Sequence, residues 1–158
     1  MATIVTLTIK NELGKTATPS EEFTLIPSND KTFLTAGKVI TQPSNVPNQT
    51  APTPNNGGIY QATVTPAKVR GIASYLLLDD QNQLVIFFNL GTARIITAAK
   101  SLTIDDQLVQ KAEETGTQNV KGSFVRGNVV YTYQIIVNTN LSEDGKTLNC
   151  SLTATNTY

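Results

Sequence analysis

Apolar residues recur at every second position along much of this chain, and that rhythm confines it to a fold built from strands. Val5, Leu7 and Ile9 alternate with Thr6, Thr8 and Lys10. This is the period of a half-buried strand, whose successive side chains point to opposite faces. The same period returns in Tyr60, Ala62 and Val64, and again in Tyr131, Tyr133, Ile135 and Val137. Composition agrees: 24 Thr, 12 Val and 12 Ile make 48 of the 158 residues β-branched. Branching at Cβ stiffens a side chain in a helix and packs well on a pleated surface. Only 15% of residues are charged, so Thr, Asn, Ser and Gln must carry the polar surface.

Further strands follow from the same pattern. Phe23 to Ile26 reads as a short second strand closed by Pro27-Ser28-Asn29-Asp30, and Thr32 to Ile40 as a third. Tyr75 to Leu78 and Leu84 to Phe88 flank Asp79 to Gln83 as a hairpin. Its arms are apolar on both faces, which suits central strands. Ala93 to Thr97 follows. A second hairpin pairs Val129 to Val137 with Leu148 to Ala154, and Gly145 supplies the positive φ of its turn. One short helix is expected, capped by Ser101 or Thr103. Asp105 and Asp106 would meet its positive end, Ile104, Leu108 and Ala112 would recur at i+4, and Gly116 would stop it. The expectation is a single all-β domain over residues 1–158. It would be an antiparallel β-sandwich of about 8–10 strands, with a closed antiparallel β-barrel as the alternative.

Several chemistries are set aside by what the chain lacks. With no His, neither a Ser-His-Asp nor a Cys-His arrangement can form. The lone Cys150 allows no internal disulfide and no thiolate zinc cluster, and strand alternation turns it inward. Lys and Arg total 12 and so do Asp and Glu, so no basic field draws the chain to nucleic acid. The acidic pairs Glu21-Glu22, Asp79-Asp80, Asp105-Asp106, Glu113-Glu114 and Glu143-Asp144 fall mostly in turns or at helix ends. The oxygen-rich runs Asp79 to Asn82 and Asn29-Asp30 lack the spacing of a calcium loop. No catalytic residue, metal or cofactor is therefore expected. The N-terminal residues do not have the form of a secretory signal and no long apolar run suggests a membrane helix. The expected location is cytoplasmic by default, or outside the cell by a leaderless route.

Two regions stand out as candidate binding surfaces. Residues 41–58 form a long loop with Pro43, Pro47, Pro52 and Pro54 and no charge. Loops of this length on rigid scaffolds are commonly functional. Gln42, Asn45, Asn48, Gln49, Asn55 and Asn56 are its candidate ligand or partner contacts. The second region is the outward face of the last hairpin, with Thr132, Gln134 and Ile136 on one strand and Asn149, Ser151 and Thr153 on the other. Its strands carry no charge outside the turn, whereas exposed sheet edges usually do. They are either interior strands or a self-association surface. The expected role is a non-enzymatic protein that binds a protein partner or itself. A membrane-active protein of the β-type pore-forming or lipid-binding kind is the alternative, and a lectin-like carbohydrate binder a further one. Sugar sites favour aromatic platforms, and Tyr60 and Tyr158 read as the freer aromatics.

Overall fold

The computed structural model describes residues 3–13, 23–48, 51–65, 69–126 and 128–156, and the structural statements below concern these. Ten strands lie in two sheets that pack face to face without closing into a barrel. They are β1 (Thr3–Glu12), β2 (Ile26–Leu34), β3 (Gly37–Thr41), β4 (Ile59–Val64) and β5 (Gly71–Leu76). The remainder are β6 (Asn82–Phe88), β7 (Ala93–Ala99), β8 (Asn119–Arg126), β9 (Val129–Leu141) and β10 (Thr147–Asn156). One sheet runs β3-β4-β1-β10-β9-β8 and the other β2-β5-β6-β7. The expected sandwich is therefore the fold. One pair departs from the antiparallel rule: β1 and β10 run parallel, with Leu7 opposite Cys150.

Alternation sorts the side chains into two cores. Val5, Leu7 and Ile9 face Ala73, Tyr75, Leu84 and Ile86 between the sheets, with the inward residues of β9 and β10 completing the layer. The apolar residues on the other face of β5, β6 and β7, among them Ile72, Val85, Phe87 and Ile96, need a second cover. The helix α1 (Asp106–Thr115) supplies it through Leu108, Val109 and Ala112. Its cap is Asp105 rather than Ser101 or Thr103. The Asp105 carboxylate accepts the Leu108 N–H at 3.1 Å, which places Ile104 just outside the helix in the same core as Val109. Gly116 ends the helix with an ordinary negative φ. It is needed because a Cβ there would collide with the Ala112 carbonyl and the Arg94 side chain.

The structure corrects other expectations. Pro27 to Asp30 does not close a strand; it lies inside β2, where the register with β5 shifts between Pro27 and Thr32. The segment Asn119–Arg126, which has no strand signature strong enough to stand alone, is the edge strand β8. Tyr60 is fully buried and packs 6.0 Å from Phe88, so it is no free aromatic. Val129, which alternation with Tyr131 and Tyr133 would turn inward, is exposed at the end of β9. Cys150 is buried as alternation required.

Edges and interior strands differ in charge. β9 and β10 are flanked on both sides, so their uncharged edges are covered. Charges and breaks sit instead on the true edges: Lys38 on β3, Lys121 on β8, Arg94 on β7, and Pro27 on β2. Two isolated bridges, Leu25 to Val46 and Ile95 to Thr117, stitch the seams between the sheets.

A buried amide fastens the β7–α1 connection to the sheet. Ser74 donates to Gln83 Oε1 at 2.6 Å, and Gln83 Nε2 donates to the carbonyls of Ala99 and Leu102 at 3.0 and 3.1 Å. Gln83→Leu is expected to cost about 2–3 kcal/mol, because it leaves polar groups buried without their partner. Urea denaturation measures this. Adding Ser74→Ala should recover part of the loss, since the serine hydroxyl then no longer lacks its acceptor.

Candidate functional site

The long loop is fastened at its middle. Val46 is buried and exchanges two backbone hydrogen bonds with Leu25, at 2.8 and 3.0 Å. Asn11, at the end of β1 and fully buried, donates from Nδ2 to the carbonyls of Phe23 at 2.8 Å and Val46 at 2.9 Å. Its Oδ1 accepts the Leu13 N–H at 3.0 Å. This one side chain ties three segments together. Sequence reading passed over it, although a lone Asn continuing the inward series Val5, Leu7, Ile9 was the available signal.

Further along, Pro54–Asn56 form a single 3-10 turn. Thr53 and Asn56 cap it reciprocally: the Asn56 N–H donates to Thr53 Oγ1, and Asn56 Oδ1 accepts the Thr53 N–H at 2.9 Å and the Gly58 N–H at 3.1 Å. Of the six loop amides, Asn56 is thus committed to the backbone, while Asn45 and Asn55 project from the fastened segment into a groove. Gln42 is exposed and lies outside it; Asn48 is half-buried and has a partner. Gln49 and Tyr158 lie outside the described residues.

The groove has two adjoining parts of about 320 and 440 Å³ that share Ile26 and Asn45. One part reaches Leu76, Leu78 and Asp80 at the β5–β6 turn, and the other reaches Pro27, Ser44 and Asn55. Asp79 and Asp80 have separate duties there. Asp79 Oδ1 accepts the N–H groups of Gln81 and Asn82, and Oδ2 accepts from Asn82 Nδ2 at 2.8 Å. Partial burial opposes ionisation of Asp79, but the Asn82 side chain and these backbone N–H groups outweigh it and hold its pKa below the ordinary value. Asp80, at φ 62°, lines the groove alone. The other acidic pairs also serve structure: Asp106 and Glu113 reach Arg70 at 3.5 and 3.1 Å, and Asp144 accepts from Ser142 and the Lys146 N–H within the last hairpin turn. Among the described residues no group of three or more His, Cys, Asp or Glu could hold a metal ion. Glu21 and Glu22 lie outside them.

The second candidate surface is the outer face of the six-stranded sheet. Register places Thr6 beside both Gln61 and Asn149, Thr8 beside Ile59 and Ser151, and Thr153 beside Ile136. Gln134 faces Lys121 and Thr132 faces Ser123 on β8. All six predicted face residues therefore lie on one continuous surface. Its centre is neutral, and Lys10 and Glu12 form an ion pair of 3.0 Å toward one end. Val125 and Val130 oppose each other on β8 and β9 farther toward that same end, and are 64% and 61% exposed. On the hairpin Tyr131, Tyr133, Ile135, Val137, Leu148, Cys150, Leu152 and Ala154 point into the sandwich, while the outward side mixes polar residues with the exposed Val130 and Ile136. No helix among the described residues is long and apolar enough to cross a membrane.

The fold and its surfaces define an all-β sandwich with a helix on one side, a groove at one end and a broad neutral face. No family model matches the chain, and no curated protein matches it. Among solved structures it is similar to the wild-type lectin XCL of Xerocomus chrysenteron, at 11% identity and a TM-score of 0.44, over 98% of this chain and 100% of that one.

Proposed function

We propose that this chain is a non-enzymatic interaction protein that pairs with a second copy of itself through the outer face of the six-stranded sheet. The supporting observation is the neutral centre of that face, where Thr6, Thr8, Asn149, Ser151 and Asn138 lie side by side. In a two-fold dimer, residues near the axis meet their own counterparts, so a charge there would repel its copy. Strands about 4.8 Å apart and about 3.3 Å per residue give such a face roughly 700 Å². A standard interface buries about 800 Å² per partner. Ile136, 38% exposed beside Thr153, supplies an apolar contact near that centre.

Sedimentation across a concentration series tests this reading. The native chain should associate, and Ser151→Arg should weaken the dimer by about a hundredfold or more, because two guanidinium groups would face each other at the centre. Circular dichroism confirms that the variant is folded, since Ser151 is exposed. A native chain that stays monomeric at its highest soluble concentration overturns the proposal.

A further inference from the structure

The groove beside the long loop has its own chemistry, independent of the sheet face. We infer that it binds a neutral polyhydroxylated ligand, such as a sugar. Its floor holds Ile26, 47% exposed, with Pro27 and Leu78. An apolar floor of this kind suits the C–H faces of a pyranose ring. Its rim holds Asn45, Asn55, Ser44 and Asp80, whose side chains make no hydrogen bond or ion pair among the described residues. An amide both donates and accepts, and a carboxylate accepts only. Together they match vicinal hydroxyl groups, which do both.

Other ligand classes fit less well. Among the described residues no Lys or Arg lines either part of the groove, so a phosphate or carboxylate would meet Asp80 with nothing among them to balance its charge. Nor does an aromatic ring among them line it to stack a base. A divalent cation needs several oxygen ligands, and the neighbouring Asp79 carboxylate is already occupied by its own turn. A peptide adding to the edge of β2 would meet Pro27, which has no N–H, and Leu25, whose N–H and C=O are both paired with Val46. The rim is also held in place before binding. Asn45 adjoins the anchored Val46, Asn55 sits in the capped 3-10 turn, and Asp80 is fixed by the Asp79 turn. Holding these groups in advance reduces the ordering that binding must impose. The combined space falls within the range of small-ligand sites, roughly 300–1,000 Å³.

An immobilised panel of neutral and acidic glycans, displayed at high density, provides the test. The native chain should bind members of the neutral set. Asn45→Ala and Asp80→Asn should each weaken that binding about tenfold, the equivalent of one good hydrogen bond. Asn tolerates the positive φ at this position, so the second variant keeps the turn. Lys111→Ala, on the exposed side of α1 and away from both surfaces, should bind the panel as the native chain does. The inference is overturned if no neutral glycan is bound, if binding is confined to acidic glycans or requires calcium, or if binding survives both groove substitutions in folded protein.

Discussion

On passing into alkali the protein is expected to lose stability at up to about 4 kcal/mol per pH unit between pH 10.5 and 12. Three buried acids are the main cause. Burial pushes the Tyr60 phenol well above its ordinary 10.0, and burial together with the nearby Tyr60 does the same to Tyr75. Burial pushes the Cys150 thiol up to about 12. The folded chain keeps these protons where the unfolded chain sheds them. Their stabilising contribution is therefore complete below the unfolded values and is lost as pH rises toward the folded ones. Each group adds about 1.4 kcal/mol per unit in that window. Across that window the loss reaches about 6 kcal/mol, enough to unfold a domain at the lower end of the ordinary range of about 5–15 kcal/mol. Phenolate absorbance and near-ultraviolet circular dichroism should change together, because neither buried phenol ionises until the sandwich opens. Gradual ionisation of these two tyrosines near pH 10 with the fold intact would contradict the expectation. Tyr60→Phe combined with Tyr75→Phe should reduce the slope to what Cys150 and Tyr133, the latter also raised by burial and by Asp79, contribute. Neither hydroxyl has a hydrogen-bond partner among the described residues, so this pair should not destabilise the protein at neutral pH.

Asn11→Leu is expected to lower stability by about 3–4 kcal/mol and the melting temperature by roughly 10 °C. Leucine fills a similar volume but removes the donor to the Phe23 and Val46 carbonyls and the acceptor for the Leu13 N–H. The consequence reaches the groove, because Val46 carries Asn45 beside it. Glycan binding in the folded fraction of this variant should weaken with the stability, even though Asn11 is remote from solvent. Chemical denaturation and the same glycan panel measure the two effects. A variant as stable as the native chain would show that the buried amide is not what fastens the loop.

The strands most legible in the sequence are those whose environment is uniform along their length. β1 and the inner faces of β9 and β10 show clean alternation because one face meets the core and the other water. β5 and β6 read as doubly apolar because a sheet and a helix cover them. The missing charges on β9 and β10 recorded their interior position, which was one of the two readings they allowed. β8 was hidden because Lys121 and Gly122 interrupt it. That glycine is there because a Cβ would strike the Tyr133 ring across the ladder. Turn chemistry in Pro27 to Asp30 pointed to a chain reversal, but pairing with β5 carries the strand past it. Of the loop amides, two converge on the groove, yet Ile26 and Asp80 reach it from segments distant in sequence. No local pattern announces such a meeting.

The parallel pairing of β1 with β10 sets a timetable for biosynthesis. β1 is translated before both of its neighbours, one of which is β4, with Leu7 opposite Tyr60. Its other neighbour cannot exist until β10 has been translated, and β9 and β8 are joined to the sheet only through β10. The nascent chain must therefore carry an apolar strand with one side unsatisfied while β2 to β9 are translated. Contacts between strands so far apart form slowly. The Thr and Lys residues on the outward side of β1 are then its protection during that wait, keeping an unpaired strand dispersed until its partner arrives.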